Sequence, residues 1–195
     1  MALDYTDILS RQPELSYVPP QNFYMIMEKL PQVVFNVQQV VIPPVNGGEA
    51  SLDNRYNSTR TYIPGDGLDY GTLSCTFLID KEFRTYRTIL EWIKAINAPE
   101  TSQQYADWVD SHTQFAEQTE GFATSMSTVT IIGSDSANRP LVHWTFKNAF
   151  PISVDGPSYD ATQQDIEYLT STVDFRFHYF EHQTYDNGVL QNDKL

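Results

Sequence analysis

The residues in this 195-residue chain best placed for chemistry are two histidines four positions apart. His178-Tyr179-Phe180-Glu181-His182 matches the H-x-x-E-H string with which one class of zinc proteases holds a metal and a general base. That chemistry needs a helix, on which imidazoles at i and i+4 share a face. Here the string closes an evenly spaced apolar run of Leu169, Val173, Phe175, Phe177 and Tyr179, so the local period is that of a strand. On a strand both histidines still share a face, but Glu181 points away from them. The segment is expected to be a solvent-facing strand edge and not a metal centre.

The remaining chemical signals are weaker. Asp66 and Asp69 in GDGLDYG lack the alternating oxygen ligands and closing glutamate of a calcium loop, and they suit a tight turn. Cys75 is the chain's one cysteine, which excludes an internal disulfide and a thiolate-rich metal site; it alternates within Gly71–Asp80 as a small buried hydrophobe. G-x-G-x-x-G, the phosphate-binding G-x-x-x-x-G-K-[ST] and G-x-S-x-G are all missing. No catalytic residue, cofactor or metal is expected, and the chain reads as a non-enzyme.

Apolar residues make up 41% of the chain and aromatics 13%, enough for one sizeable core in one domain. Asp and Glu number 25 against 12 Lys and Arg, a net charge of −13 that opposes binding through phosphates or to an anionic membrane. The first residues show no basic stretch followed by an apolar one, and no run approaches the roughly 18 apolar residues that span a bilayer. A soluble, non-secreted protein without a membrane partner is expected.

Residues 1–20 are polar and end at Pro19-Pro20, the pattern of an arm or docking tail. Phe23, Met25 and Met27, then Val33, Phe35, Val37 and Val41, alternate on either side of Pro31 and predict a hairpin. The polar stretch 43–71 is too long for a structureless loop in a compact domain, so an extended hairpin over 45–63 is expected, with Tyr56, Arg60 and Tyr62 as interface-type residues. Leu73, Cys75, Phe77 and Ile79 alternate with Thr72, Ser74 and Thr76, giving one apolar and one small polar strand face.

The period then switches to helical. Phe83, Tyr86, Ile89, Leu90, Ile93 and Ile96 share a face from about Lys81, with Asp80 as N-cap; Ile89, Trp92 and Ile93 are the expected packing residues. Residues 97–125 read as a polar insertion, an ordinary loop packed by its aromatics, although the spacing of Tyr105, Trp108, His112 and Phe115 also suits a short helix. Strands return over 129–131, 142–146 and 169–179, and residues 181–195 are expected to leave the core as a tail. The fold class this predicts is mainly β: an antiparallel β-sandwich or partly closed barrel flanked by one principal α-helix.

Two segments together resemble the tail-tube proteins of contractile-tailed bacteriophages. One is NFYMIMEKLPQVVFNVQQVVIPP followed by YIPGDGLDYGTLSCTFLIDKEFRTYRTILEWIKAI, with a helix opening after Asp80 and bearing Trp92. The other is LVHWTFKNAFPISVDGPSYD with IEYLTSTVDFRFHYF, in which an aromatic strand reaches an N-A-F-P turn at Asn148–Pro151. The resemblance implies a virion subunit, made in the host cytoplasm, that forms six-fold rings stacked into a tube within a sheath on a baseplate. DNA would pass through the lumen without adhering, along an acidic wall. It further implies that 45–63 is the inter-ring hairpin and that Thr72, Ser74 and Thr76 face the lumen or a ring interface. A baseplate tube initiator or a type VI or other injection-system tube subunit is the nearest alternative, and a monomeric ligand-binding β-sandwich a more distant one.

Overall fold

A computed structural model describes residues 19–29, 37–52, 61–97, 101, 103–112, 125–160, 162, 168–186 and 189–191. Eight strands are linked by antiparallel pairing into two layers that share one strand. The first layer runs β1 (Phe23–Met27), β6 (Ser127–Ser134), β7 (Pro140–Val154), β9 (Tyr179–Asp186), β10 (Val189–Gln191). The second runs from the C-terminal half of β7 to β8 (Thr170–Arg176), β5 (Leu73–Leu78) and β2 (Val37–Val41). The remaining pair, β3 (Val45–Leu52) and β4 (Thr61–Tyr70), forms a separate two-stranded sheet. This is the expected β-sandwich or partly closed barrel.

The corner between the layers lies at Asn148, whose φ of 55° is one that asparagine tolerates better than most side chains. Residues 142–147 pair with β9 and residues 150–154 with β8, while β8 and β9 are separated only by Phe177 and His178. Both chains thus change layers together, the usual way a sandwich turns a corner. The His178 amide donates to the Lys147 carbonyl at 3.0 Å across this bend. The expected N-A-F-P turn is therefore not a turn, because Asn148–Pro151 is the bend inside one continuous strand.

The inner faces of the two layers meet through Met25, Met27, Val129 and Phe146 on one side and Leu73, Cys75, Phe77, Val173 and Phe175 on the other, all buried. The Cys75 thiol lies 3.4 Å from Met25 Sδ, and burial pushes its pKa up to about 12. We expect Cys75 to resist a thiol reagent such as Ellman's at pH 8 until the protein is unfolded, since the thiolate is the reactive form. Stoichiometric labelling of the native protein would contradict this burial.

Several expectations change in three dimensions. β1 and β2 do not form a hairpin: β1 pairs with β6 and β2 with β5, so they edge different layers although Pro31 alone seemed to separate them. The hairpin of 45–63 extends to Tyr70, because Gly47–Gly48 and Gly65–Gly67 act as a bulge rather than as bounding turns. A Cβ at Gly65 would come within 2.9 Å of the Gly48 carbonyl carbon, so small residues let the strands close there. Within the expected tail 181–195 the described residues 181–186 and 189–191 stay with the sheet, since β9 and β10 extend the first layer; Phe180, His182 and Thr184 pair with Phe146, Trp144 and Val142, and the backbone ladder does not require apolar side chains. Among the described residues β10 reaches only Thr184–Asp186 of β9, so Tyr179–His182 pair with β7 on one side alone, as expected of a strand edge, and His178 lies just before β9.

The principal helix, α1 (Arg84–Asn97), starts three residues later than Lys81. Asp80 is not its cap: the Asp80 carbonyl accepts the Phe83 amide at 2.9 Å, Phe83 takes a φ of 56°, and the Phe83 carbonyl accepts the Arg87 amide. Within the expected loop 97–125 lies a second helix, α2 (Gln103–His112), held by Trp108 stacked on Trp92 with centroids 6.1 Å apart.

Candidate functional site

The hairpin β3–β4 is the chain's most unusual surface. The described side chains from Val45 to Ser51 and from Tyr62 to Asp69 are exposed, including Tyr62 at 60% and Leu68 at 59%. A two-stranded hairpin alone is marginally stable in water, so this one depends on its root and on whatever covers its apolar side chains. Of the expected interface residues Tyr62 lies on its exposed part, while Tyr56 and Arg60 fall outside the described residues.

The root is firmly held. Tyr70 ends β4 and places its ring 5.5 Å from both Phe177 and Phe180 in the aromatic cluster at the corner. Arg176 Nη1 donates to the Tyr70 carbonyl at 2.9 Å, and the Gly71 amide donates to the Pro44 carbonyl at 2.9 Å. A Cβ on Gly71 would lie 2.6 Å from Pro44 Cδ, so only glycine lets the two strand ends approach this closely. Tyr70 and Arg176 escaped sequence analysis; the alternation of V-D-F-R-F marked Arg176 as outward-facing but could not show its partner 106 positions away.

Ser74 and Thr76 lie half-buried on the outer face of the second layer, and Thr72 lies just before β5. Ser74 donates to Asp174 Oδ1 at 2.5 Å and Ser153 donates to Asp174 Oδ2 at 3.1 Å, while the Thr76 and Thr172 hydroxyls lie 3.1 Å apart. The register sets these contacts, since Ser74 and Ser153 both stand opposite Asp174 and Thr76 stands opposite Thr172. The result is a hydroxyl-rich surface with Asp174 and Arg176 as charges of opposite sign. Many of the other described acids lie elsewhere, Glu49, Asp66 and Asp69 on the hairpin and Glu82, Glu91 and Asp107 around the helices.

Ile89, Trp92 and Ile93 lie on the face of α1 that meets the core. Ile89 and Trp92 are fully buried and Ile93 packs against the core from a half-buried position. Trp92 Nε1 donates to the Ser125 carbonyl at 2.8 Å, its ring lies 6.2 Å from that of Phe175, and Lys29 Nζ sits 5.7 Å from its centroid. Burial lowers the Lys29 pKa from 10.5 to about 8, opposed by the Glu28 carboxylate. Between those two values the folded protein has released a proton that the unfolded chain retains, so stability should rise with pH over that window. Comparing urea midpoints of the native protein and Lys29→Met from pH 8 to 10, we expect the native protein to gain relative to the variant; parallel profiles would contradict this.

Among the described residues no group of three His, Cys, Asp or Glu could hold a metal ion. His182 packs on Trp144 with centroids 4.2 Å apart, while His178 sits at the corner beside Asn148. The arrangement is thus one of surfaces and anchors.

Residues 15–183 match the family model described as phage tail tube protein. The chain belongs to the phage tail tube protein family. That family is structural and non-enzymatic. No curated protein matches the sequence of this tail tube protein. Among solved structures it is similar to the tube-terminating cap of the anti-feeding prophage, with 18% identity, 91% of this chain and 99% of that chain covered, and a TM-score of 0.60. It is also similar to a chain of the sheath-tube complex of the extracellular contractile injection system PVC in its extended state, with 16% identity, 94% and 100% covered, and a TM-score of 0.54. A chain of the PVC sheath/tube terminator gives 15% identity, 88% and 100% covered, and the same TM-score of 0.54. At these identities the likeness is one of fold.

Proposed function

We propose that this tail tube protein is the repeating subunit of the tube in a contractile apparatus of the virion, forming closed rings of about six copies that stack coaxially and conduct DNA. The observation that carries this reading is the β3–β4 hairpin, a strongly anchored, solvent-exposed two-stranded sheet whose Tyr62, Ile63 and Leu68 have no cover within the described chain. Such an element suits contact with a copy in the next ring. Sheath and baseplate proteins would be the outer partners, as the similar injection-system chains belong to a sheath-tube complex and a sheath/tube terminator.

The hydroxyl face carrying Ser74, Thr76 and Asp174, with Thr72 at its edge, is the lumen or ring-interface surface in this reading. Its own charges nearly cancel, so the repulsion that keeps DNA from adhering comes from the field of the whole subunit at −13, multiplied around a ring, and not from that sheet alone. The purified protein is expected to assemble into closed rings of about six subunits and then into tubes, visible by negative-stain imaging and light scattering. Isolated rings that never lengthen would assign it instead to a cap or baseplate initiator. A monomer at every concentration and salt would overturn the tube reading.

A further inference from the structure

In this acidic chain the cations are not spread evenly. Three of the 12 Lys and Arg stand within residues 81–87, against the single acid Glu82. Lys81 sits in the turn that follows β5, where the Phe83 amide donates to the Asp80 carbonyl at 2.9 Å, and Arg84 and Arg87 share a face at the start of α1. All three are exposed. Arg84 pairs with Glu82 and Arg87 with Glu91 at 3.5 Å, while Lys81 has no ion pair among the described residues. Exposed pairs of this kind contribute little to stability, so both arginines can exchange partners. Tyr168, at 78% the most exposed large apolar side chain among the described residues, lies beside this turn, because the Ile79 amide donates to the Leu169 carbonyl at 2.9 Å.

The hairpin has the opposite sign. Its described residues carry Glu49, Asp66 and Asp69, all exposed, and no Lys or Arg. Arg55 and Arg60 fall outside them, and over residues 45–70 as a whole four acids stand against two cations. A Cβ at Gly47 or Gly67 would meet nothing within 4 Å, so the backbone beside these acids leaves room for long side chains from outside. The two clusters lie at opposite ends of one strand, since β4 leads into β5 at Leu73 and the turn 80–83 follows its end at Leu78. Six residues in a strand span about 17 Å. Among the described residues no ion pair joins the clusters within one chain, but copies stacked head to tail bring them together.

We propose that the hairpin of one copy seats on the turn 80–83 and the start of α1 of a second copy, with its carboxylates on Lys81, Arg84 and Arg87 and its apolar side chains Tyr62 and Leu68 against Tyr168. This seat presupposes the stacking role given to the hairpin above and adds the surface that receives it. A contact between two different patches repeats without closing when copies are displaced along one axis, as a lengthening tube requires. The charges set partner and register, since opposite signs steer the encounter and like signs oppose contact between two hairpins. The exposed apolar side chains supply the area withdrawn from water.

Charge reversal with rescue tests this, read by negative-stain imaging and paired with crosslinking between copies. Lys81→Glu/Arg84→Glu is expected to fold, because acidic residues suit the first turn of a helix, and to form rings but no tubes. Glu49→Lys/Asp66→Lys is expected to do the same, and the chain carrying all four substitutions, its net charge unchanged, to regain tubes. Tubes of native length in either reversal variant, loss of rings, or no recovery in the fourfold variant would overturn the seat. Crosslinking needs no tubes. Cys75 is buried and its pKa pushed up to about 12, so introduced cysteines can be addressed selectively. Copies with Asp66→Cys mixed with copies with Lys81→Cys, treated with a short bis-maleimide, are expected to give severalfold more product of twice the subunit mass than either alone; equal yields would overturn the seat. Native protein that stays monomeric removes the stacking reading and the seat with it, whereas native tubes with equal crosslinking remove only the seat.

Discussion

Replacing Trp92 with alanine is expected to destabilise the protein by about 3–5 kcal/mol, the range for deleting a fully buried large aromatic. The position combines four interactions that alanine removes at once: the hydrogen bond to Ser125, the stack on Trp108, the contact with Phe175 and the cation–π contact with Lys29. Lys29 would then keep a desolvated charge without its aromatic face, and the Ser125 carbonyl would lose this donor. Trp92→Phe should recover part of the loss by refilling volume without restoring the donor, worth about 1 kcal/mol for a neutral hydrogen bond. Denaturant midpoints for the two variants would show the order; an unchanged midpoint for Trp92→Ala would mean that α1 is not fastened to the sheets through this side chain.

The second large effect concerns assembly and should be close to all-or-none. Excising the hairpin from Val45 to Tyr70 would also remove Tyr70 from the corner cluster, so the informative variant shortens only 46–68 to a Gly-Ser turn. The root bonds from Gly71 to Pro44 and from Arg176 to Tyr70 then survive. We expect this variant to fold with a melting temperature close to that of the native protein, since the described residues among those removed add no side chain to the core cluster. It should form rings but no tubes. Tubes of normal length would remove the stacking role, and loss of rings as well would place the hairpin within the ring.

How much of this was legible beforehand differs by element, for identifiable reasons. The period-two runs around Cys75, Val129 and Phe175 and the helical face of Ile89, Trp92 and Ile93 were readable because burial on one side imposes a period on the sequence. Residues 181–186 were not, since a strand in the sheet can be polar when its ladder bonds and a few contacts such as His182 on Trp144 suffice. The cap of α1 was misplaced because a left-handed Phe83 is rare among bulky residues, so the acidic residue upstream carried the stronger signal. Trp108 was visible as a helical spacing, yet only its stack on Trp92 distinguishes a helix from an aromatic-packed loop.

By itself the sequence determined the fold class, the absence of familiar catalytic signatures, the acidity of the subunit and the resemblance to tail-tube proteins, because each depends on composition or local periodicity. Only the tertiary structure decided which strands are neighbours. The pairing of β1 with β6 and of β2 with β5 depends on contacts across tens of residues, and a one-residue change of register would turn every inward side chain outward. The same long-range register brings Ser74 and Ser153 onto Asp174 and Tyr70 under Arg176.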